Sequence, residues 1–488
     1  MNNIFDKLKA YSDSDYYAFH MPGHKRNLDL MDGTSPYRID ITEIDGFDDL
    51  HHAEGILRDA QERAARVYHA DETHFLVNGS TVGIISAILG TTEKGDSVLV
   101  ARNCHKSVYH AIYLNELDPV YLYPKFDTEQ GLSTEIDAAD VQKALEEHPK
   151  IRAVMIVSPT YDGVVSDIKK IAEIVHAKGC PLIVDEAHGA HFGFDPYFPK
   201  SANIYGADLV INSLHKTLPA LTQTALLHVN GDMVKRRKVK QYLDMLQTSS
   251  PSYILMASID ACIGMLEETL ETHSDARSDY KYKNIFSEYA NRIEALRKDL
   301  KRLKYLKIIQ TDNTDRYDRS KFVISVKHAP MSSHELYEIL LHRYHLQMEM
   351  LAGTYVLAMT TVGDTQEGLD RLRDALLEID KEIDTRQGRP AAIETDLPLS
   401  GRQPALEKVW TIAEAVNRRD KIQKRSFEDS IGCISVEYAY LYPPGSPLIV
   451  PGERITKEAV EILHWYQEHD FSIEGLQAED GIEVWIDG

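Results

Sequence analysis

Leu182-Ile183-Val184-Asp185-Glu186-Ala187-His188 and, about thirty residues further on, Leu209-Val210-Ile211-Asn212-Ser213-Leu214-His215-Lys216 decide the fold. Each is a short apolar run that ends in a polar cluster. A lysine amine placed there can condense with an aldehyde. An aspartate at the neighbouring strand end can keep a pyridine nitrogen protonated, which makes the ring an electron sink. Together, at this spacing, Asp185 and Lys216 are what a pyridoxal 5'-phosphate (PLP) enzyme needs. Ser213 and His215 add groups able to hydrogen-bond a phosphate. Neither stretch is decisive alone.

Outward from these stretches, β-rich apolar runs alternate with amphipathic helical patterns. Strands are expected at 97–100, 120–123, 153–157, 182–184, 209–211 and 225–229, with helices such as 138–147 and 167–178 between them. That alternation reads as an α/β domain with a largely parallel sheet. The unbroken apolarity of 154–157 fits a strand buried on both faces. Ligands in such sheets bind beyond the carboxyl ends of the strands. The loops Ser158-Pro159-Thr160-Tyr161, Asp185 to His188 and Ser213 to Lys216 follow three such strands, so they are expected to converge.

Long helices are expected at 252–272 and 280–303. A smaller α/β unit follows, with strands at 321–326 and 355–361 and helices at 334–342 and 365–379. A polar, Pro-containing linker is expected at 385–399. The expected organisation is an N-terminal arm and linker segment (1–75), a cofactor-binding large domain (76–305), a small α/β domain (306–385) and a C-terminal α+β unit (400–488). No internal repeat or low-complexity tract stands out.

Asn78-Gly79-Ser80-Thr81 precedes a helical run. Its hydroxyls and the free amides of a helix start suit a phosphate, although Ser and Thr are also ordinary caps. His105 follows the strand ending near Val100, where a flat imidazole can stack on one face of a ring, with the small Ala187 against the other. Cys104 beside His105 can also be read as a metal or nucleophile pair, but no second ligand set accompanies it, and no metal is expected. His188 can orient a substrate carboxylate or support Asp185. His215, next to Lys216, can contact phosphate or help move a proton. Thr222 and Gln223 lie close in sequence without an assignable role. No P-loop, dinucleotide-binding, zincin or nucleophile-elbow motif occurs.

A formal charge of −22 argues against nucleic acid or an anionic membrane as partner. The four cysteines, Cys104, Cys180, Cys262 and Cys433, are scattered without a C-x-x-C pair, which fits a reducing cytoplasm. There is no signal-peptide-like start and no apolar run of about 18 residues, so no membrane association is expected.

The motifs resemble those of the Orn/Lys/Arg decarboxylases, PLP enzymes of the aspartate-aminotransferase fold (fold type I). The resemblance rests on Phe19-His20-Met21-Pro22-Gly23-His24-Lys25, Asp48-Asp49-Leu50-His51, Asn78-Gly79-Ser80-Thr81 and Asn103-Cys104-His105-Lys106-Ser107. It continues through Ser158-Pro159-Thr160-Tyr161-Asp162-Gly163, Asp185-Glu186-Ala187-His188-Gly189, Ser213-Leu214-His215-Lys216, Tyr442-Pro443-Pro444-Gly445 and Pro451-Gly452-Glu453. It implies Lys216 as the lysine that carries the cofactor, Asp185 as the ring-nitrogen partner and His105 as the stacking residue. Ser80, Thr81, Ser213 and His215 would hold the phosphate, with Thr160 also at the cofactor. Ser249 and Ser250, within Thr248-Ser249-Ser250-Pro251-Ser252, would complete the phosphate site of a neighbouring subunit, so a homodimer is implied. Only eighteen residues precede Phe19, which is similar to the short form of the family without the N-terminal wing domain.

The reaction implied is decarboxylation of a basic amino acid for polyamine synthesis, with arginine favoured, lysine second and ornithine third. The cationic head needs an acidic partner, and the candidates are Asp40, Glu43, Asp45, Asp48, Asp49, Glu349, Glu437 and Glu453. An aminotransferase or aldolase on the same fold is the alternative enzyme. A non-enzymatic PLP-binding regulator would need a DNA-reading module, which the chain does not show.

Overall fold

The computed structural model describes residues 13–20, 23, 25, 27, 39–271, 281–309, 314–385, 403–418, 420–442, 445–469, 471–478 and 480–486. Met21, Pro22 and His24 of the first motif, Pro443 and Pro444 of the last, and all but the first residue of the expected linker at 385–399 lie outside them.

Seven strands form the central sheet: β1 (Glu72–Leu76), β2 (Ser97–Ala101), β3 (Asp118–Leu122), β4 (Ile151–Val157), β5 (Leu182–Asp185), β6 (Leu209–Asn212) and β7 (Ala225–Val229), in the spatial order β1-β7-β6-β5-β4-β2-β3. All neighbours pair in parallel except β7, which runs antiparallel to both β1 and β6. The sheet is therefore mixed, with one reversed strand. β5, β6 and β7 are buried along their whole length. Each of their fully buried Val, Ile or Leu side chains contributes about 1.5–3 kcal/mol.

The helices form where caps and periodicity coincide. Ala138–Glu147 starts where the Asp137 carboxylate accepts the Ala139 amide, and Ile168–Ala177 where Asp167 accepts that of Lys170. Tyr253–Glu271 and Ile285–Leu300 are the two long helices expected after the sheet.

β1 was not among the expected strands, and it begins at Glu72, ahead of the boundary drawn at 76. Its sequence, ETHFL, carries polar residues in a buried place. Thr73 is satisfied across the sheet, where its hydroxyl lies 2.8 Å from Nδ1 of His228, and His74 pairs within the strand, its Nε2 3.0 Å from Glu72. Residues 1–75, expected as an arm and linker, hold the helix Ile56–Val67 and the strand Tyr17–Phe19, which pairs in parallel with Leu346–Met348.

The smaller unit is a four-stranded antiparallel sheet ordered Lys307–Ile308, Lys321–Ser325, Tyr355–Met359, Met350–Ala352. The strand expected over 355–361 stops at Met359, and the helix expected over 365–379 spans Gln366–Thr385. The C-terminal unit has two three-stranded sheets and the helix Lys457–Glu468 around its own apolar cluster. Among the described residues no helix is long and apolar enough to cross a membrane.

Candidate active site

The loops after β4, β5 and β6 meet at one cavity of about 470 Å³. Ser80, Thr81, His105, Thr160, Asp185, Ala187, His188, His215 and Lys216 all line it. Nine expected residues from five separate stretches therefore share one space. The small unit lies beside it, and the C-terminal unit closes one side with Gln403, Tyr442 and Ser446.

Asp185 ends β5, fully buried, and its Oδ1 accepts the Ala187 amide at 3.0 Å. Burial raises its pKa, and the Lys216 ammonium opposes that rise. Lys216 sits on a single helical turn, Leu214–Thr217, directly after β6. Its Nζ lies 3.0 Å from Nε2 of His188. Burial pulls the amine below the ordinary lysine range, and Asp185 and Glu349 work against that pull. His188 is held well below the ordinary histidine range by burial and by the Lys216 charge. Its Nδ1 is buried without a hydrogen-bond partner among the described residues, and its ring lies 4.3 Å from that of Tyr161.

His215 sends its Nδ1 to the Thr224 carbonyl at 2.9 Å, so Nδ1 carries the proton and Nε2 is left as an acceptor. Burial lowers its pKa to about 4. A neutral His215 meets a phosphate oxygen only after gaining a proton at Nε2. His105 caps the helix Lys106–Leu114, with Nδ1 accepting the Ser107 amide at 3.2 Å. Burial, with the Lys216 charge, lowers its pKa to about 3, so the ring presents a neutral face.

Ser80 and Thr81 lie in the first turn of the helix Gly79–Thr91, whose N-cap Asn78 makes no side-chain cap bond. Gly79, at φ +74°, gives its amide to the carbonyl of Gln223, itself at φ +88°. That places a role on Gln223 that the sequence did not: its strained backbone anchors the start of this helix. Ser213 is fully buried and its hydroxyl has no hydrogen-bond partner among the described residues. First-turn hydroxyls, a buried carboxylate and an amine around one cavity fit the aldehyde, ring and phosphate of PLP; Ser213 does not line the cavity itself.

The N-terminal motif braces the lysine turn from behind. The Gly23 amide donates to the His215 carbonyl at 2.6 Å, and a Cβ at Gly23 would lie 2.7 Å from the Leu218 carbonyl oxygen. Glu186, beside Asp185, accepts from the Ser201 hydroxyl at 2.8 Å and the Asn212 amide at 3.2 Å, which ties the ends of β5 and β6 together.

None of the eight acidic candidates lines the cavity. Asp40, Glu43 and Asp45 are exposed. Asp48 accepts four backbone amides, those of Asp49, Glu54, Gly55 and Leu57; burial opposes its ionisation, yet these bonds hold it at about 2. Asp49 caps the short helix Leu50–His52. Glu437 accepts the amides of Gln477 and Glu483. Glu453 pairs with buried Arg102 at 2.9 Å. Glu349 stands one layer back, accepting from the Tyr161 hydroxyl. Ser249 and Ser250 are exposed and line no part of this chain's own cavity.

A mixed sheet of this order, with a lysine on the short turn after β6 and a buried carboxylate ending the neighbouring strand β5, defines the fold-type-I class of PLP-dependent enzymes. The solved lysine decarboxylase LdcF of Francisella novicida has this fold: TM-score 0.78 at 18% identity, over 98% of this chain and 80% of that one. Within the class, the chain belongs to the Orn/Lys/Arg decarboxylase family. Residues 2–339 match the model "Orn/Lys/Arg decarboxylase, major domain" and residues 402–484 match "Orn/Lys/Arg decarboxylase, C-terminal domain". The chain is 35% identical to the protein YaaO of Bacillus subtilis (strain 168), described as uncharacterized, over 94% of this chain and 93% of that protein. It is 31% identical to the arginine decarboxylase of the same strain, over 94% and 92%.

Proposed function

We propose that this protein is a PLP-dependent carboxy-lyase that decarboxylates a basic amino acid, arginine ahead of lysine and ornithine third, and so feeds polyamine synthesis. The observation that carries the reading is the convergence of Lys216, Asp185, His188, His215 and His105 on one cavity. The arginine decarboxylase of Bacillus subtilis, similar over nearly the whole chain, supports arginine first.

When bound, the cofactor supplies an aldehyde that condenses with amines and a ring that accepts the electron pair left as CO2 departs. Asp185 would pair with the ring nitrogen, and His105 and Ala187 would flank the ring. Ser80, Thr81, Thr160 and Ser213 would hold the cofactor's polar groups, with His215 joining them once protonated. The buried Lys216 amine, held below the usual lysine range, is available as nucleophile and as proton carrier. His188 Nε2, 3.0 Å away, can take or return that proton. The chain's contribution is orientation and charge placement.

In this reading the large unit, extended back to Glu72, carries the cofactor, the unit of 306–385 covers it, and 400–488 completes the wall. Two chains form a homodimer, and the exposed Ser249 and Ser250 of each serve the other's phosphate site. All four cysteines are free thiols, which fits the cytoplasm.

Purified, PLP-loaded protein given arginine, lysine and ornithine separately is expected to release CO2 with agmatine, cadaverine or putrescine, fastest with arginine. A keto acid in place of CO2 would make it an aminotransferase instead. Asp185→Asn keeps the shape but removes the charge facing the ring nitrogen. Loss of one such electrostatic contact is expected to lower kcat about 100-fold or more, with KM nearly unchanged. A kcat within a few-fold of the parent would remove Asp185 from this role.

A further inference from the structure

Among the described residues, two carboxylates line the cavity, Asp185 and Asp162. Asp185 is committed to the cofactor ring in the reading above. Asp162 lies in the turn between Tyr161 and Gly163, where the large unit meets the small one. Its Oδ1 accepts the hydroxyl of Tyr355, from the small sheet, at 2.5 Å. Its own backbone amide is a further donor to this carboxylate. Tyr161 and Glu349 make the converse contact, with the large unit supplying the tyrosine and the small unit the carboxylate. Each unit thus holds the other's acid in place beside the cavity.

We propose that Asp162 receives the cationic head group of the substrate, and that Tyr355 is the positioning residue that aims it. The inference rests on the reading of a basic amino-acid substrate. A half-buried carboxylate at a cavity wall is costly unless a cation meets it. Burial indeed raises the Asp162 pKa, and the Tyr355 bond works against that rise. The neighbouring buried cation, Lys321, also works against that rise, and its charge is shared with Asp318 and Glu349. A Cβ on Gly163 would lie 2.9 Å from the Lys321 Cγ, but the Lys321 ammonium pairs with Asp318 at 3.6 Å. Tyr161 lines the same cavity and keeps Glu349 behind it as a second negative charge. An arginine head suits such a wall because its planar fork offers several donors at once.

The test uses the PLP-loaded protein and the cofactor's visible absorbance as a binding signal. Arginine is titrated against citrulline, its uncharged isostere, and lysine against norleucine. The parent is expected to prefer the cationic member of each pair. Asp162→Asn is expected to lose that preference by about thirtyfold or more, as truncation of a desolvated charge pair does, while the neutral analogues bind as before. Tyr355→Phe is expected to lose about three- to tenfold, the scale of one hydrogen bond. Undiminished preference in Asp162→Asn, or none in the parent, overturns the proposal. Where Asp162→Asn does not fold, Tyr355→Phe decides: a reduced preference supports the assignment and an unchanged one refutes it. CO2 release from the same samples separates the two readings. A parent that discriminates through Asp162 without releasing CO2 upholds this site and refutes the decarboxylase, while a parent that decarboxylates with Asp162→Asn still discriminating refutes this site alone.

Discussion

Lys216→Ala is expected to lower the decarboxylation rate by about 10⁴-fold or more, the scale of removing a group without which the reaction has no covalent route. The protein should still fold. The substitution removes a buried ammonium and leaves His188 Nε2 without its neighbour at 3.0 Å, and neither change breaks the packing of β5 and β6. A second readout is independent of turnover. After borohydride reduction of the cofactor-loaded parent, the cofactor's mass should stay on the peptide containing Lys216, and Lys216→Ala should retain none. Lys106 is the other lysine on the cavity wall. Its ammonium lies 5.3 and 5.1 Å from the ring centres of Tyr440 and Tyr442 and 3.5 Å from the Tyr440 hydroxyl. That cation is engaged with aromatic faces, so it is not expected to replace Lys216. Label found on Lys106 in the parent would overturn the assignment.

The parts of the site legible in the sequence are those in which strand and loop are contiguous. Asp185 and Lys216 each follow an apolar run, and a parallel sheet brings the ends of its strands to one edge whatever the side chains. That is why β5, β6 and their loops could be placed to within a residue or two. β1 escaped because burial of Thr73 is compensated by His228, far along the chain, and no local period shows it. Gln223 escaped because its contribution is a backbone angle and a carbonyl. Asp162 escaped for a third reason. An aspartate before a glycine reads as a turn, and its meaning comes from Tyr355, 193 residues away. The acidic candidates failed in the opposite sense. They were singled out for charge, whereas four of them, Asp48, Asp49, Glu437 and Glu453, spend their oxygens on backbone amides or a buried arginine.

Glu453 shows what that second use implies. Its carboxylate and the Arg102 guanidinium are each about 1% exposed. Arg102 also donates to the carbonyls of Pro447 and Leu448, and Glu453 Oε2 accepts the Val450 amide at 2.8 Å. This pair joins the end of β2, which leads to His105, to the C-terminal unit that contributes Ser446 to the cavity wall. Glu453→Ala leaves a buried guanidinium without its counter-charge. Breaking such a pair costs about 3–5 kcal/mol, a large share of the about 5–15 kcal/mol by which proteins are stable. The expected result is a lower denaturant midpoint, with KM for the basic amino acid unchanged in whatever protein remains folded. A substrate-binding Glu453 would give the converse, a raised KM at unaltered stability. The double variant Arg102→Met, Glu453→Leu separates charge from packing. An apolar pair of similar volume is often neutral in place of buried ions, but here the Leu448 carbonyl and the Val450 amide would lose their partners, while the Pro447 carbonyl keeps the Gln403 side-chain amide at 2.7 Å. Stability should therefore return only in part, and full recovery would mean that the Leu448 carbonyl and the Val450 amide find water or other partners.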